Sequence, residues 1–179
     1  MIRTVAFLRA VNVGGRSVVS MDSLRRAFAE AGAGEAATYI QTGNVVFDVP
    51  EDGREAFFDR IAEAVGDLLG GEATLIYRPL EDLAALVKRP PFDGVAPGPD
   101  VKRYVAFLSR RAVFRPALPL VREKDGLEIV GTRGPDVFLL SRRVGGRFGF
   151  PNLLVEKAYG VPATTRNWNT LEGLVAKFG

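Results

Sequence analysis

Apolar positions along the chain fall into two successive sets of alternating strand and helix patterns. Thr4 to Val11 (TVAFLRAV) is β-rich and mostly apolar, and Asn12 with the pair Gly14-Gly15 closes it, which predicts a buried strand. In SMDSLRRAFAEAG, Leu24, Ala27, Phe28 and Ala31 recur at i, i+3, i+4, i+7. Ser20 is a natural N-cap, Asp22 suits the positive end of the helix dipole, and Gly32 supplies a stop. TYIQTGNVVFDV reads as two short strands about Thr42-Gly43-Asn44, with one bulged strand as the alternative. A second helix is expected from about Asp52, with Glu55 completing a capping box. Its apolar face is Phe58, Ile61, Val65 and Leu68 or Leu69, and Gly70-Gly71 end it. ATLIYR (73–78) follows as a strand, and 80–87 as a short helix.

RPPFDGVAPGPD (89–100) holds four prolines and two glycines and predicts a linker between a first part, 1–88, and a second, 101–179. VAFL at 5–8 recurs at 105–108, each copy opening its half. The second half continues with a hairpin, GLEIVG and DVFLLSR about Gly134-Pro135, then a helix over 151–159 between Pro151 and Gly160. Pro116 and Pro119 leave its first crossover room for only a short helix. The order β-α-β-β-α-β predicts an α+β protein of two ferredoxin-like (split βαβ) subdomains with mixed or antiparallel sheets.

Composition narrows the chemistry. With 179 residues, 47% hydrophobic and 25% charged, the chain is of ordinary globular type. It has no cysteine and no histidine. That removes thiolate nucleophiles, imidazole bases, catalytic triads of either kind and zinc sites of nitrogen and sulfur ligands. Any catalysis would rest on Mg²⁺, lysine or carboxylates, so the reading leans away from an enzyme, and no cofactor is called for. Arg9 and Asn12 interrupt the first apolar run, which is unlike a signal peptide, and no run approaches the roughly 20 residues of a membrane span. A cytoplasmic protein with no membrane contact is expected. Net charge is +3, but it is divided unevenly. Residues 1–100 carry 10 Lys/Arg against 15 Asp/Glu, and residues 101–179 carry 14 against 6. A basic half suits a binding module for a phosphate-bearing small molecule or a nucleic acid, unless the acidic half merely docks on it; a small-molecule enzyme and a structural partner protein are the alternatives.

Four stretches could touch such a partner. Asn12-Val13-Gly14-Gly15-Arg16 could turn backbone N–H groups toward an anion with an arginine at hand, although glycines also serve a tight turn, and it matches no nucleotide fingerprint. Gln41, Thr42 and Asn44 offer amide donors and acceptors at a hairpin. Arg142, Arg143, Arg147, Phe148 and Phe150 place bases beside aromatics, outside the strand context of an RNA-recognition motif. In TTRNWNT (164–170), Asn169 and Glu172 have capping-box spacing and Trp168 lies on the stripe of Leu171 and Leu174. Capping and packing leave Arg166 and Asn167 unexplained, and a helix N-terminus beside an arginine also attracts anions. Asp48 and Glu156 are the carboxylates an enzymatic reading would use.

VAFLRAVNVGG at 5–15, TYIQTGNVVF at 38–47 and TTRNWNT near the C-terminus together resemble the bacterial domain-of-unknown-function family DUF1697. The chain departs from that pattern at Ala10-Val11, where Gly-Ile is usual, and at Thr42, where Ser is. The resemblance implies a pair of ferredoxin-like subdomains and no established activity. It also marks Arg9, Asn12, Gly14, Gly15, Gln41, Gly43, Asn44, Arg166, Asn167, Trp168 and Asn169 as signature positions, expected to converge on one face or on the cleft between halves. Arg16 joins them as a candidate phosphate partner. Oligomeric state is not readable from the sequence.

Overall fold

The computed structural model describes residues 1–9, 19–40 and 43–179. Asn12, Gly14, Gly15, Arg16, Gln41 and Thr42 therefore lie outside the described residues. The chain divides into two units, Met1–Ala84 with Phe178–Gly179, and Ala85–Lys177.

Unit 1 runs β1 (Ile2–Leu8), α1 (Met21–Phe28), β2 (Ala37–Thr38), β3 (Asn44–Val49), α2 (Arg54–Leu69), β4 (Leu75–Pro79) and α3 (Leu80–Lys88), which crosses the unit boundary. The expected cap forms: Ser20 Oγ accepts the Ser23 N–H at 3.0 Å. The expected box on α2 does not. Gly53 is the N-cap, in a left-handed conformation with no side-chain bond, which shifts the helix one residue past Asp52 and takes Glu55 out of capping register. The face of α2 also differs. Phe57, Ile61 and Val65 are buried, whereas Phe58 is half-buried and stacks on Tyr77 with ring centroids 3.9 Å apart. The sheet order is β2-β3-β1-β4, antiparallel throughout. Ala6, Leu8, Val45 and Phe47 form a core with Leu24 and Phe28 of α1 and the buried residues of α2.

Unit 2 adds β5 (Val101–Leu108), β6 (Leu120–Arg122), β7 (Leu127–Arg133), β8 (Asp136–Arg142), α4 (Asn152–Tyr159), β9 (Ala163–Asn167) and α5 (Trp168–Phe178). The sheet order is β6-β7-β8-β5-β9, again antiparallel. No helix forms over 109–119. Pro116 and Pro119 deny that stretch helical donors, and the chain returns as the edge strand β6. Val105, Phe107, Phe138 and Leu140 lie on one face of the sheet by strand alternation. Phe138 on that face meets Trp168 and Phe92 at centroid distances of 6.3 Å. The opposite face packs Ala106, Ile129, Val137 and Leu139 against Leu154, Val155 and Tyr159. Phe92, in the middle of the proline-rich stretch, is 4% exposed and lies 4.9 Å from the Trp168 ring, so that stretch is anchored in unit 2.

The two VAFL copies occupy matching places. Val5 to Leu8 form the strand between β3 and β4, and Val105 to Leu108 the strand between β8 and β9. Their ends are tied alike: Leu8 N–H donates to Gly43 O and Arg9 N–H to Thr74 O, while Leu108 N–H donates to Pro135 O and Ser109 N–H to Pro162 O, all between 2.8 and 3.0 Å.

Unit 2 also depends on a close approach at Gly126, whose φ is +66 and where a Cβ would lie 2.2 Å from Arg142 O. Gly126→Ala is expected to cost about 2–4 kcal/mol in urea unfolding, from positive-φ strain and displaced backbone. Gly131→Ala, with nothing within 4 Å of its added Cβ, should stay within about 0.5 kcal/mol of the parent.

Candidate functional site

In unit 1 the end of β1 brings two signature stretches side by side. Phe7 pairs with Asn44, and the Leu8 to Gly43 bond follows it, so Arg9 leaves the sheet next to the β2–β3 turn. Gly43 has φ +70, the positive value its place in the turn suggested. Asn44 is fully buried, and its Nδ2 donates to Tyr39 O at 3.0 Å while Tyr39 N–H donates to Asn44 O at 2.9 Å. Its amide thus holds the turn closed.

TTRNWNT is not a loop ahead of a helix. Thr164 to Asn167 belong to β9, and Trp168 opens α5 with no residue between. Asn169 is not the cap: its N–H donates to Asn167 Oδ1 at 2.9 Å, so Asn167 supplies the bond. Glu172 does not reach back to Asn169 either. Its Oε1 accepts the Trp168 indole N–H at 2.9 Å and lies 3.8 Å from Arg103, which explains why the capping box is absent. Trp168 is 0% exposed, the core anchor its stripe predicted.

Arg166 is half-buried, and its guanidinium donates to Thr164 Oγ1 at 2.6 Å and Thr165 O at 3.1 Å. Burial pulls its pKa down to about 10, still well above neutral, so the group keeps its charge. It has an internal counterpart. Arg78 stands opposite Val5 as Arg166 stands opposite Val105, and Arg78 likewise donates to the carbonyl of the residue before it, Tyr77 O, at 2.8 Å. Each arginine lies two residues before a buried first helical residue, Leu80 or Trp168. The parallel assigns Arg166 to the strand-to-helix junction.

Asn167 links this junction to an exposed surface. It pairs with Tyr104, whose hydroxyl pKa is raised by burial and opposed by a hydrogen bond to the Asn167 side chain. Tyr104 in turn meets Phe150 edge-on at 6.2 Å. Phe150 is 64% exposed, Leu153 61% and Val144 45%, around a groove of about 470 Å³. Arg147, Lys124 and Lys157 line it, and among the described residues none of the three is ion-paired. Three other cations nearby are neutralised: Arg122 by Asp125 at 3.1 Å, Arg142 by Glu128 and Arg143 by Asp100, both at 3.4 Å. Phe148 is covered by Lys102 at 4.4 Å and Arg143 at 5.1 Å, leaving Phe150 the freer ring. The sequence pointed to this loop through its arginines and aromatics; Lys124 and Lys157 join only through the fold. The two carboxylates of the enzymatic reading are also bound in place, Asp48 by Arg3 at 3.0 Å and Glu156 by the Ala163 N–H at 2.9 Å.

Two measurements check these assignments. Asn44→Ala should lower stability by about 1–3 kcal/mol in denaturant unfolding, because Tyr39 O loses a buried donor. Trp168 emission should be blue-shifted and nearly insensitive to acrylamide until the protein unfolds.

A family model described as a protein of unknown function (DUF1697) matches residues 1–138, a span that ends before β9. The fold is similar to that of conserved bacterial protein SP0830 from Streptococcus pneumoniae, with a TM-score of 0.64 and 17% identity over 99% of this chain and 98% of that one. No curated protein matches the chain. The matched span takes in β1, the β2–β3 turn and most of both sheets, and the chain belongs to the DUF1697 family.

Proposed function

We propose that this protein is a binding module for a phosphate-bearing ligand, a nucleotide or a nucleic acid, and that the ligand meets unit 2 at Phe150. The observation that carries the reading is the exposed Phe150 ring beside three cations without acidic partners, Arg147, Lys124 and Lys157. A free aromatic face stacks any base, and surrounding cations take the phosphates without demanding a sequence. The N-terminus of α4, which has no side-chain cap, adds N–H groups next to Phe150. The excess of basic residues after position 100 favours the same class of partner. Arg9, Asn12, Arg16 and Gln41 are proposed as further contacts in unit 1, on the chemistry of their side chains. Trp168 and Asn44, being buried, act through the fold and not by touching the ligand.

The same proposal covers the finer architecture. Both units are read as ferredoxin-like, unit 2 having exchanged its first helix for an edge strand; the matching orders β2-β3-β1-β4 and β7-β8-β5-β9 support this. An enzyme of Mg²⁺ or carboxylate type has weaker support, since Asp48 and Glu156 already serve structural bonds.

The test is fluorescence anisotropy of a short single-stranded oligonucleotide at several salt concentrations. Phe150→Ala is expected to weaken binding about tenfold, the loss of one stacked base, and Arg147→Ala to lower the salt slope by about one. Equal affinity of parent and Phe150→Ala proteins would refute the placement.

A further inference from the structure

The segment that follows β5 makes a second basic hollow at the other end of α4. It is fixed at both ends: Ser109 N–H donates to Pro162 O at 2.9 Å, and the Val113 and Phe114 N–H groups both donate to Tyr159 O, at 2.8 and 3.1 Å. Between these ties lies a concavity of about 620 Å³ lined by Arg110, Arg111 and Arg115, with Thr132, Leu118 and Tyr159. No carboxylate among the described residues lines it. Among the described residues none of the three guanidinium groups makes a hydrogen bond or an ion pair, whereas Arg103, Arg122, Arg142 and Arg143 each meet an acid. Three like charges gathered in one hollow repel one another, and an anion among them would relieve that repulsion.

Tyr159 is 4% exposed and forms part of the wall, with its hydroxyl sealed from the open hollow. The place in the fold matters as well. Ser109 is the counterpart of Arg9, each bonded to the residue just before its edge strand. In sequence, the arginine-rich segment therefore follows Ser109 as Asn12–Arg16 follows Arg9.

We infer that Arg110, Arg111 and Arg115 form a binding site for a compact polyphosphate group. Guanidinium forks match phosphate oxygens bidentately, and a volume of this size is that of a small-molecule site. The site is separate from the Phe150 surface. Pro151 and Tyr159 mark opposite ends of α4, about 12 Å apart at helical rise, so either site can exist without the other.

Isothermal titration calorimetry of the whole chain with inorganic tripolyphosphate at low salt tests this. The expected result is saturable binding, weakened about tenfold or more by Arg111→Gln and by Arg115→Gln. Arg26→Gln on α1, an equal change of net charge, should leave it unchanged, as should Phe150→Ala. Absence of saturable binding, or losses as large in Arg26→Gln, would overturn the inference. Full affinity in both Arg111→Gln and Arg115→Gln would equally overturn it. Tripolyphosphate carries no base to stack, so failure here and failure of the Phe150 surface read out separately.

Discussion

Everything in both units hangs on a central strand that is buried on its two faces. Val5 to Leu8 and Val105 to Leu108 are each at most 3% exposed, so neither copy of VAFL can leave a face to water. Such a strand reads as a continuous apolar run because every position is internal. In unit 2 the two covers are visible: α4 lies over Ala106, and Trp168 lies over the face of Phe138. Supplying the second cover forces the edge strand to turn into a helix at once. Hence β9 ends at Asn167 and α5 begins at Trp168, with the largest side chain in the unit taking the first helical position.

That junction decides what the polar residues around it are for. A helix that starts directly from a strand has no preceding loop to cap it, so Asn167 must serve as both last strand residue and hydrogen-bond acceptor. A buried indole needs an acceptor, and Glu172 is recruited to it in place of capping. A charged side chain two residues earlier must satisfy its donors within a shielded setting, as Arg166 does on Thr164 and Thr165. The density of polar groups in TTRNWNT is thereby accounted for mostly by the covering of one sheet face.

Much of the fold was legible in the sequence, because helical stripes and strand runs report burial directly. The stripe of α1, the glycine at the β2–β3 turn, the β7–β8 hairpin and the Trp168 anchor all follow from spacing alone. Misreadings arose where a neighbour in space outweighed local pattern. Asp52 and Glu55 have capping spacing, yet Gly53 in a left-handed conformation starts the helix one residue later. Phe58 has the right period, yet it stacks on Tyr77 at the rim while Phe57 goes inside. The candidate surfaces were the least legible. Arg142, Arg143 and Arg147 look alike in sequence, and only the fold shows that Glu128 and Asp100 neutralise the first two. The same holds for Arg110, Arg111 and Arg115, whose lack of partners is a property of space and not of order along the chain.

The matched ties of the two central strands also locate where the two halves differ in length. Val5 corresponds to Val105, an offset of 100 residues; Gly43 to Pro135, an offset of 92; Thr74 to Pro162 and Arg78 to Arg166, an offset of 88. If the halves descend from one ancestral module, the bookkeeping localises the change: eight residues separate them between the first and second landmarks, where unit 1 holds α1, and four more before the last strand. In unit 2 a proline-bearing arm and a three-residue strand stand where unit 1 has a crossover helix, and the register of the central strand is the same. The corner beside that strand is therefore the part of the module that tolerates rebuilding, and a designer wishing to graft a new loop onto this scaffold would begin after Ser109.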